Sequence, residues 1–312
     1  MPVVLECKSP LFLYTEDDVN KILENHGKKL KDLEVDLVSI KEWFKTQPHI
    51  PITPSDRLII FFMLMNKFLI EKTKSRLEMN YSIRNVMPEL YCLSPLHPKI
   101  RESHRYFKVI GMPKLTKGLR RLCIIKYFDD VSFNITTIIS RTIMSMEIFA
   151  LYDINNGNEY ICDYTNVNLS LISKIKPTDI MKLMRLSDVS INKVYANRFS
   201  VVHFINVSAA GETLFNMFKM CMKPKLRQRM LVHKNIESLK EFYSLDMLPK
   251  DYGGTAKSLD EISEDFQEFL ESYDEYLSKW IKIRVDAKLR PEPLVNDDIL
   301  GYYGNFKKLD VD

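Results

Sequence analysis

Hydrophobic positions along the first third of the chain recur at helical spacing. Thr15 caps a segment whose first turn holds Glu16, Asp17 and Asp18, acids suited to the positive end of a helix dipole. Val19, Ile22, Leu23 and Leu30 follow with a helical period, and Leu37, Ile40, Trp43 and Phe44 continue it until Pro48 and Pro51 break the chain. Pro54 opens the next helix, which contains the apolar run Leu58-Ile59-Ile60-Phe61-Phe62, and a fourth helix runs from Ile70 to Val86 before Pro88. The middle of the chain changes period. Leu122 to Ile125, Tyr160 to Cys162 and Val201 to Ile205 are short apolar runs of strand length. Between them, Ile135 to Tyr152 and Ile172 to Leu186 read as helices. Strands alternating with helices predict an α/β sheet covered by helices, behind an all-helical N-terminal part. Ser258 and Glu261 form a capping box for a last helix with Leu259, Ile262, Phe266, Phe269, Tyr273, Tyr276, Leu277 and Trp280 on its apolar stripe.

Composition narrows the chemistry. The net charge is +4, from 45 Lys and Arg against 41 Asp and Glu, too mild for the basic footprint of a nucleic-acid binder. Only 9 of 312 residues are glycine, and neither GxGxxG nor GxxxxGK[ST] occurs, which argues against a phosphate-cradling loop. The five cysteines, Cys7, Cys92, Cys123, Cys162 and Cys221, show no CxxC spacing and fit reduced thiols. None of the six histidines lies in HExxH or near paired cysteines, and GxSxG is absent, so no metal, cofactor or catalytic residue is expected and the chain does not read as an enzyme. His203, inside a strand, reads as a hydrogen-bonded structural histidine. The longest apolar stretch, Leu58 to Met65, is far short of the roughly 20 residues that span a bilayer, and no signal peptide opens the chain. A cytoplasmic, monomeric protein that touches membranes transiently from outside is the expectation.

Two segments stand out. Gly211 to Met222 carries Leu214, Phe215, Met217, Phe218, Met220, Cys221 and Met222, apolar on more than one helical face. Such a helix is either an ordinary core element or a pliable pocket wall that also meets lipid. Lys219, Lys223, Lys225, Arg227, Arg229 and Lys234 follow, with no acid from 219 to 234. That cluster is either a solvated face or, beside apolar surface, a contact for anionic lipid.

These segments sit where the CRAL-TRIO family, of the retinaldehyde-binding and α-tocopherol-transfer type, has its signature. His203-Phe204-Ile205-Asn206 resembles the strand leading into the family's lipid gate, and Leu248-Pro249-Lys250-Asp251-Tyr252-Gly253-Gly254 is very similar to its LP-x-[DE]-YGG. Gln47-Pro48-His49 and Tyr81 to Glu89, with Arg84, resemble its N-terminal markers, and Gly304 to Leu309 resembles the tail of insect members. The resemblance implies a helical domain over 1–92, an α/β/α lipid-binding domain with a mobile gate helix over 93–285 and a tail over 286–312. It implies one bound small lipophilic ligand, such as tocopherol, a retinoid or a similar isoprenoid, transferred between membranes with phosphoinositide- or anionic-lipid-assisted release. A phosphatidylinositol exchanger and a ligand-free adaptor are the alternatives. The implied pocket is Ser140, Met144, Ile148, Tyr160, Cys162, Leu183, Leu186, Val202 and Phe204, closed by Leu214, Phe215, Phe218 and Met222, with Tyr160 and Ser140 as polar handles. The implied phosphoinositide contacts are Arg198, Lys225 and Arg229; a fourth, an arginine in the family, falls on Asn66, where neighbouring Lys67 substitutes. Departures from the pattern are Phe61 and Leu64 in place of arginines, Asn206-Val207-Ser208 in place of Asn-x-Pro, and Asp163-Tyr164-Thr165-Asn166 in place of Asp-Leu-Glu-Gly.

Overall fold

The computed structural model describes residues 5–6, 9–129, 132–175, 194–222 and 224–291. Its N-terminal part is helical: α1 (Glu16–Glu24), α2 (Leu30–Lys45), α3 (Asp56–Met65) and α4 (Ile70–Val86). Thr15 caps α1 through its side chain, and Gly27, at φ +66°, turns the chain so that Leu30 opens α2. In α3 every residue from Leu58 to Met65 is buried. The apolar run is therefore a helix enclosed on all sides, packed against α2, α4 and the later α6.

After α5 (Pro98–Ser103) come β1 (Phe107–Leu115), β2 (Arg121–Tyr127), α6 (Ile135–Tyr152), β3 (Asn158–Asp163), α7 (Leu169–Lys174), β4 (Phe199–Ile205), α8 (Ala209–Cys221), α9 (Pro224–Arg227), β5 (Met230–Val232), α10 (Leu259–Ser272) and α11 (Asp274–Trp280). The strands form one sheet in the order β1-β2-β3-β4-β5; β1 runs antiparallel to β2 and the remaining pairs are parallel. The three predicted strands and the helix from Ile135 to Tyr152 occur as expected. The edge strands β1 and β5 were not anticipated. Pro113 and Gly111 break the apolar pattern of β1, and only an edge strand tolerates that proline. The helix expected from Ile172 to Leu186 instead starts at Leu169 and stops at Lys174, with Ile175 extended, two residues before Pro177. From residue 176 the expectation, including Leu183 and Leu186, lies outside the described residues, as does the tail Gly304 to Leu309.

Strand alternation gives the sheet two faces. Ile110, Met112, Leu122, Ile124, Ile161 and Ile205 point to one core, shared with Leu248, Tyr252, Leu259 and Ile262. The LPKDYGG segment is part of that core. Leu248 and Tyr252 are buried, and Gly253 stands in the left-handed region at φ +70°. A Cβ on Gly254 would lie 1.9 Å from the Leu248 carbonyl oxygen. The Tyr252 hydroxyl donates to Asp163 Oδ2 at 3.0 Å. Asp163 also pairs with Lys126 at 2.8 Å and accepts from the Thr165 backbone and hydroxyl and from Asn206 Nδ2 at 3.0 Å. Burial alone would raise the Asp163 pKa; the hydrogen bonds from Lys126, Thr165 and Asn206 outweigh it and hold the carboxyl below its ordinary value.

α6 is the one helix among the described residues long and apolar enough to cross a membrane, but 72% of it is buried inside the fold. It packs against α3 and α5, and its Glu147 accepts hydrogen bonds from Tyr195 at 2.9 Å and Tyr276 at 2.7 Å. On the sheet face away from α6, His203 Nδ1 lies 2.7 Å from His233 Nε2, and His233 in turn meets the Ser238 hydroxyl. His203 Nε2 has no partner. The histidine is thus hydrogen-bonded through one nitrogen only, and burial, followed by the neighbouring His233, pushes its pKa down to about 4.

Two expectations follow. Asp163→Ala should lower the unfolding free energy by roughly 3 kcal/mol, as loss of a buried charge partner does, and Tyr252→Phe by about 1 kcal/mol, the worth of one hydrogen bond. Urea titration of the variants measures both. Because the folded-state pKa of His203 is depressed, its contribution is fully present above its ordinary value of 6.5 and is lost as pH falls toward about 4. The midpoint of thermal unfolding should drop over that window, and the drop should be shallower in His203→Gln.

Candidate lipid-binding site

The other face of the sheet walls a cavity of about 240 Å³ beneath α8. Four of the five strands contribute alternate residues. Phe107 and Val109 come from β1, Cys123, Ile125 and Tyr127 from β2, Tyr160 and Cys162 from β3, and Val202 and Phe204 from β4. Tyr164 continues the β3 row, and Asn197 and Phe199 close the end where β4 begins. α6 forms the opposite wall with Ile138, Ile139, Thr142, Ser145, Met146 and Phe149, while Phe218, Met222 and Leu226 lie over it from α8 and α9. Among the described residues, none of formal charge lines the cavity.

Tyr160, Cys162, Val202, Phe204, Phe218 and Met222 thus meet around one space, as the sequence reading grouped them. Ser140, Met144 and Ile148 do not line it and are corrected here. At roughly 100° per residue, their face of α6 is turned more than a right angle from the lining face. Met144 and Ile148 belong to the core that α6 shares with α3 and α10, and the buried Ser140 hydroxyl has no partner there. Helical period identified α6 as buried, but both of its faces are apolar, so the pattern could not choose between them. Leu214 and Phe215 also lie off the cavity wall. They pack α8 onto the sheet end, where Leu214 is buried in the cluster with Tyr164, Val167 and Leu171, and Phe215 meets Phe204 edge-on at 4.8 Å. The sequence reading named none of the six α6 residues that line the cavity, and although it put the strand Leu122–Tyr127 in the pocket floor it named none of that strand's lining residues. Extending the alternation used for β3 and β4 to Cys123, Ile125 and Tyr127 would have found them.

Polar groups in the wall are mostly engaged. Thr142 donates to the Ile138 carbonyl at 2.8 Å and Ser145 to that of Arg141 at 3.0 Å, so both turn their hydroxyls into their own helix. Asn197 donates to the Tyr160 hydroxyl at 2.9 Å and accepts from Asn158 at 2.7 Å. Burial pushes the Cys123 and Cys162 thiols up to about 12, which keeps them protonated and poorly nucleophilic.

The start of α8 is fixed at the end of the sheet. Asn206, at φ +55°, donates to Asp163 and to the Thr165 hydroxyl. Ser208 caps the helix by accepting from the Gly211 amide at 3.1 Å and donates to the Val167 carbonyl at 3.3 Å. Ser208 thus supplies a defined turn where the family pattern has proline. At the far end, Arg227 donates to the carbonyls of Met222 and Met220, closing the C-terminus of the helix. Met220 itself is 78% exposed, beside the exposed Lys219.

The expected membrane cations group around the start of β4. Arg198 is half-buried and donates to the Leu64 carbonyl at 3.4 Å, at the end of α3 beside the exposed Lys67. Burial, then the charge of Arg120, lowers its pKa. Arg229 reaches the carbonyl of Phe199, the residue after Arg198, and Lys225 is exposed on α9 one turn earlier. Asn66 turns inward and bonds the Phe62 carbonyl at 2.8 Å, so it takes no part in that surface. His26, next to Lys67 and Arg198, has its pKa lowered by burial, then by Arg198, with Lys67 adding to it.

Comparison with known proteins gives the same outline. Residues 29–98 match the Pinta-like UBA domain and residues 108–254 the CRAL/TRIO domain. The chain is similar to the mouse "Alpha-tocopherol transfer protein-like", 24% identical over 80% of this chain and 73% of that one. It is similar to human Clavesin-2, 22% identical over 71% of this chain and 69% of that one. The match to Clavesin-1 of Xenopus laevis reaches 31% identity but spans 34% of this chain and 31% of the relative. Among solved structures, that of Sfh5 matches with a TM-score of 0.46 and 12% identity, over 85% of this chain and 99% of the other. A helical N-terminal part, a mixed sheet flanked by helices and an apolar cavity under a capped helix accompany these matches, and residues 108–254 of the chain form a CRAL/TRIO domain.

Proposed function

We propose that the chain carries one small hydrophobic molecule, a tocopherol, retinoid or similar isoprenoid, and transfers it between membranes without acting as an enzyme. The observation that carries this reading is the cavity of about 240 Å³ between the sheet, α6 and α8, lined among the described residues by uncharged side chains. Binding there rests on apolar burial, worth about 0.8 kcal/mol per CH₂. The volume lies just under the roughly 300–1,000 Å³ usual for ligand pockets, which favours a compact ligand over a two-chain phospholipid. Release requires α8 to lift. That helix carries exposed Met220 and Lys219 outward and ends against the basic stretch from Lys225 to Arg229, so an anionic leaflet, with or without phosphoinositide, is the surface suited to open it. The protein acts in the cytoplasm and meets membranes transiently.

Organic extraction of the purified protein followed by mass spectrometry should yield an isoprenoid; a phospholipid would make it an exchanger, and an empty extract an adaptor. Val202→Trp, which fills the cavity from β4, should weaken binding of the extracted ligand more than tenfold in a fluorescence-quenching titration while the fold persists; unchanged affinity would exclude this cavity.

The exposed cations should govern transfer and leave ligand affinity unchanged. Lys67→Ala/Lys225→Ala should slow transfer to anionic vesicles about tenfold or more, since each cation near the leaflet contributes about 1 kcal/mol. The wild-type rate should fall as salt rises, because surface charge is screened over about 8 Å at physiological ionic strength. Equal rates for both proteins at low and high salt would reduce the patch to a solvated face.

A further inference from the structure

Two tyrosines at one end of the cavity are unaccounted for by the packing. Lys126 of β2 pairs in register with Asp163 of β3, so the next residues along, Tyr127 and Tyr164, stand side by side at the C-terminal ends of these strands. Both line the cavity. Their rings are fixed: Tyr127 packs against Phe107 at 5.3 Å between centroids, and Tyr164 meets Phe204 edge-on at 5.5 Å. Neither hydroxyl has a hydrogen-bond partner among the described residues. Neither oxygen is among the fully enclosed unsatisfied atoms, so each keeps some accessible surface, and both tyrosines line the cavity. A phenol in an apolar chamber is costly unless something in the chamber bonds it.

The rest of the wall offers little competition. Thr142 and Ser145 donate into their own helix, and Tyr160 already receives a hydrogen bond from Asn197 at the opposite end. Among the described residues no Lys, Arg, His, Asp or Glu lines the cavity, so a charged ligand group would meet no opposite charge from them.

We propose that Tyr127 and Tyr164 form the head-group subsite of the cavity, and that its ligand is an uncharged lipid whose hydroxyl or carbonyl oxygen lies against them, at the end of the sheet where α8 begins. This rests on the carrier reading above and deepens it: it selects alcohols, aldehydes and ketones over carboxylates, phosphates and pure hydrocarbons. The apolar chain then runs toward Phe199 and Asn197. The oxygen sits close to Asp163 and Asn206, the residues that fix the start of α8, so the polar end of the ligand leaves or arrives where that helix is hinged.

The test uses three probes of one chain length, 1-dodecanol, dodecane and dodecanoate, with bound probe counted by native mass spectrometry on the full chain. The wild type should bind dodecanol about tenfold more tightly than dodecane or dodecanoate, the worth of one or two buried hydrogen bonds. Tyr127→Phe/Tyr164→Phe should bring dodecanol down to the level of dodecane and leave dodecane unchanged. Tyr243→Phe, whose hydroxyl bonds Glu159 on the other face of the sheet, should keep the preference. Each substitution removes a single oxygen, and thermal melts establish that the variants fold. A preference that survives in the double variant, one that vanishes in Tyr243→Phe, or dodecanoate binding as tightly as dodecanol overturns the subsite while leaving the carrier reading intact. If none of the probes binds the wild type, and Val202→Trp changes nothing, the carrier reading falls and the subsite with it.

Discussion

The buried carboxylate of Asp163 is the constraint on which the lipid-binding half depends. It ends β3 and is held by Lys126 from β2, by Thr165 from the following turn, by Asn206 from the turn after β4 and by Tyr252 from the LPKDYGG segment. A desolvated carboxylate keeps its charge only if its lone pairs are filled, and here the filling comes from four separate stretches of chain. The same atoms therefore set the end of the sheet, the departure of α8 and the docking of the C-terminal loop. The two glycines after Tyr252 serve this arrangement. Gly253 takes a left-handed backbone and Gly254 passes against the Leu248 carbonyl, so the chain can turn tightly enough to aim the tyrosine inward.

This gives the family motifs separate physical roles. LPKDYGG does not reach the cavity. It closes the opposite face of the sheet and holds the last residue of β3 from behind. The HFIN stretch works on both faces at once: Phe204 lines the cavity, His203 and Ile205 face the LPKDYGG side, and Asn206 ties the turn to Asp163. A change on one face of β4 is thus transmitted to the start of α8 through the backbone that both faces share.

The elements were legible in the sequence to the extent that a single periodicity decided them. Ile70 to Val86 and Ile135 to Tyr152 have the expected bounds, and the three central strands fall on their apolar runs. β1 was not legible, because an edge strand carrying Pro113 lacks the continuous apolar run of a buried one. The site was legible on strands and not on helices. In β3 and β4 alternation has only two answers, and the sheet interior supplies both with partners. In α6 nearly every position from Thr137 to Ala150 is buried, some against α3 and α10 and some against the cavity, and no hydrophobic scale distinguishes protein from empty space. Ser140 shows the consequence: a polar residue on a buried helix invites a ligand role, yet its hydroxyl faces the protein core.

The cations divide in a way that sequence alone does not reveal. Arg198, Arg227 and Arg229 donate to main-chain carbonyls at the end of α3, the end of α8 and the start of β4, whereas Lys67 and Lys225 are exposed to solvent. Guanidinium, with its planar array of donors, suits capping several carbonyls, while the compact ammonium on a long stem suits a mobile contact with an anionic surface. The arginines thus brace the frame around the cavity, and the lysines keep their charge at the surface. Met220, 78% exposed, adds apolar surface on the helix that lies over the cavity. The hydrogen bonds of Asn206 to Asp163 and of Ser208 to the Val167 carbonyl tie the start of α8 to the end of the sheet, so the proposed opening of this helix would pivot there.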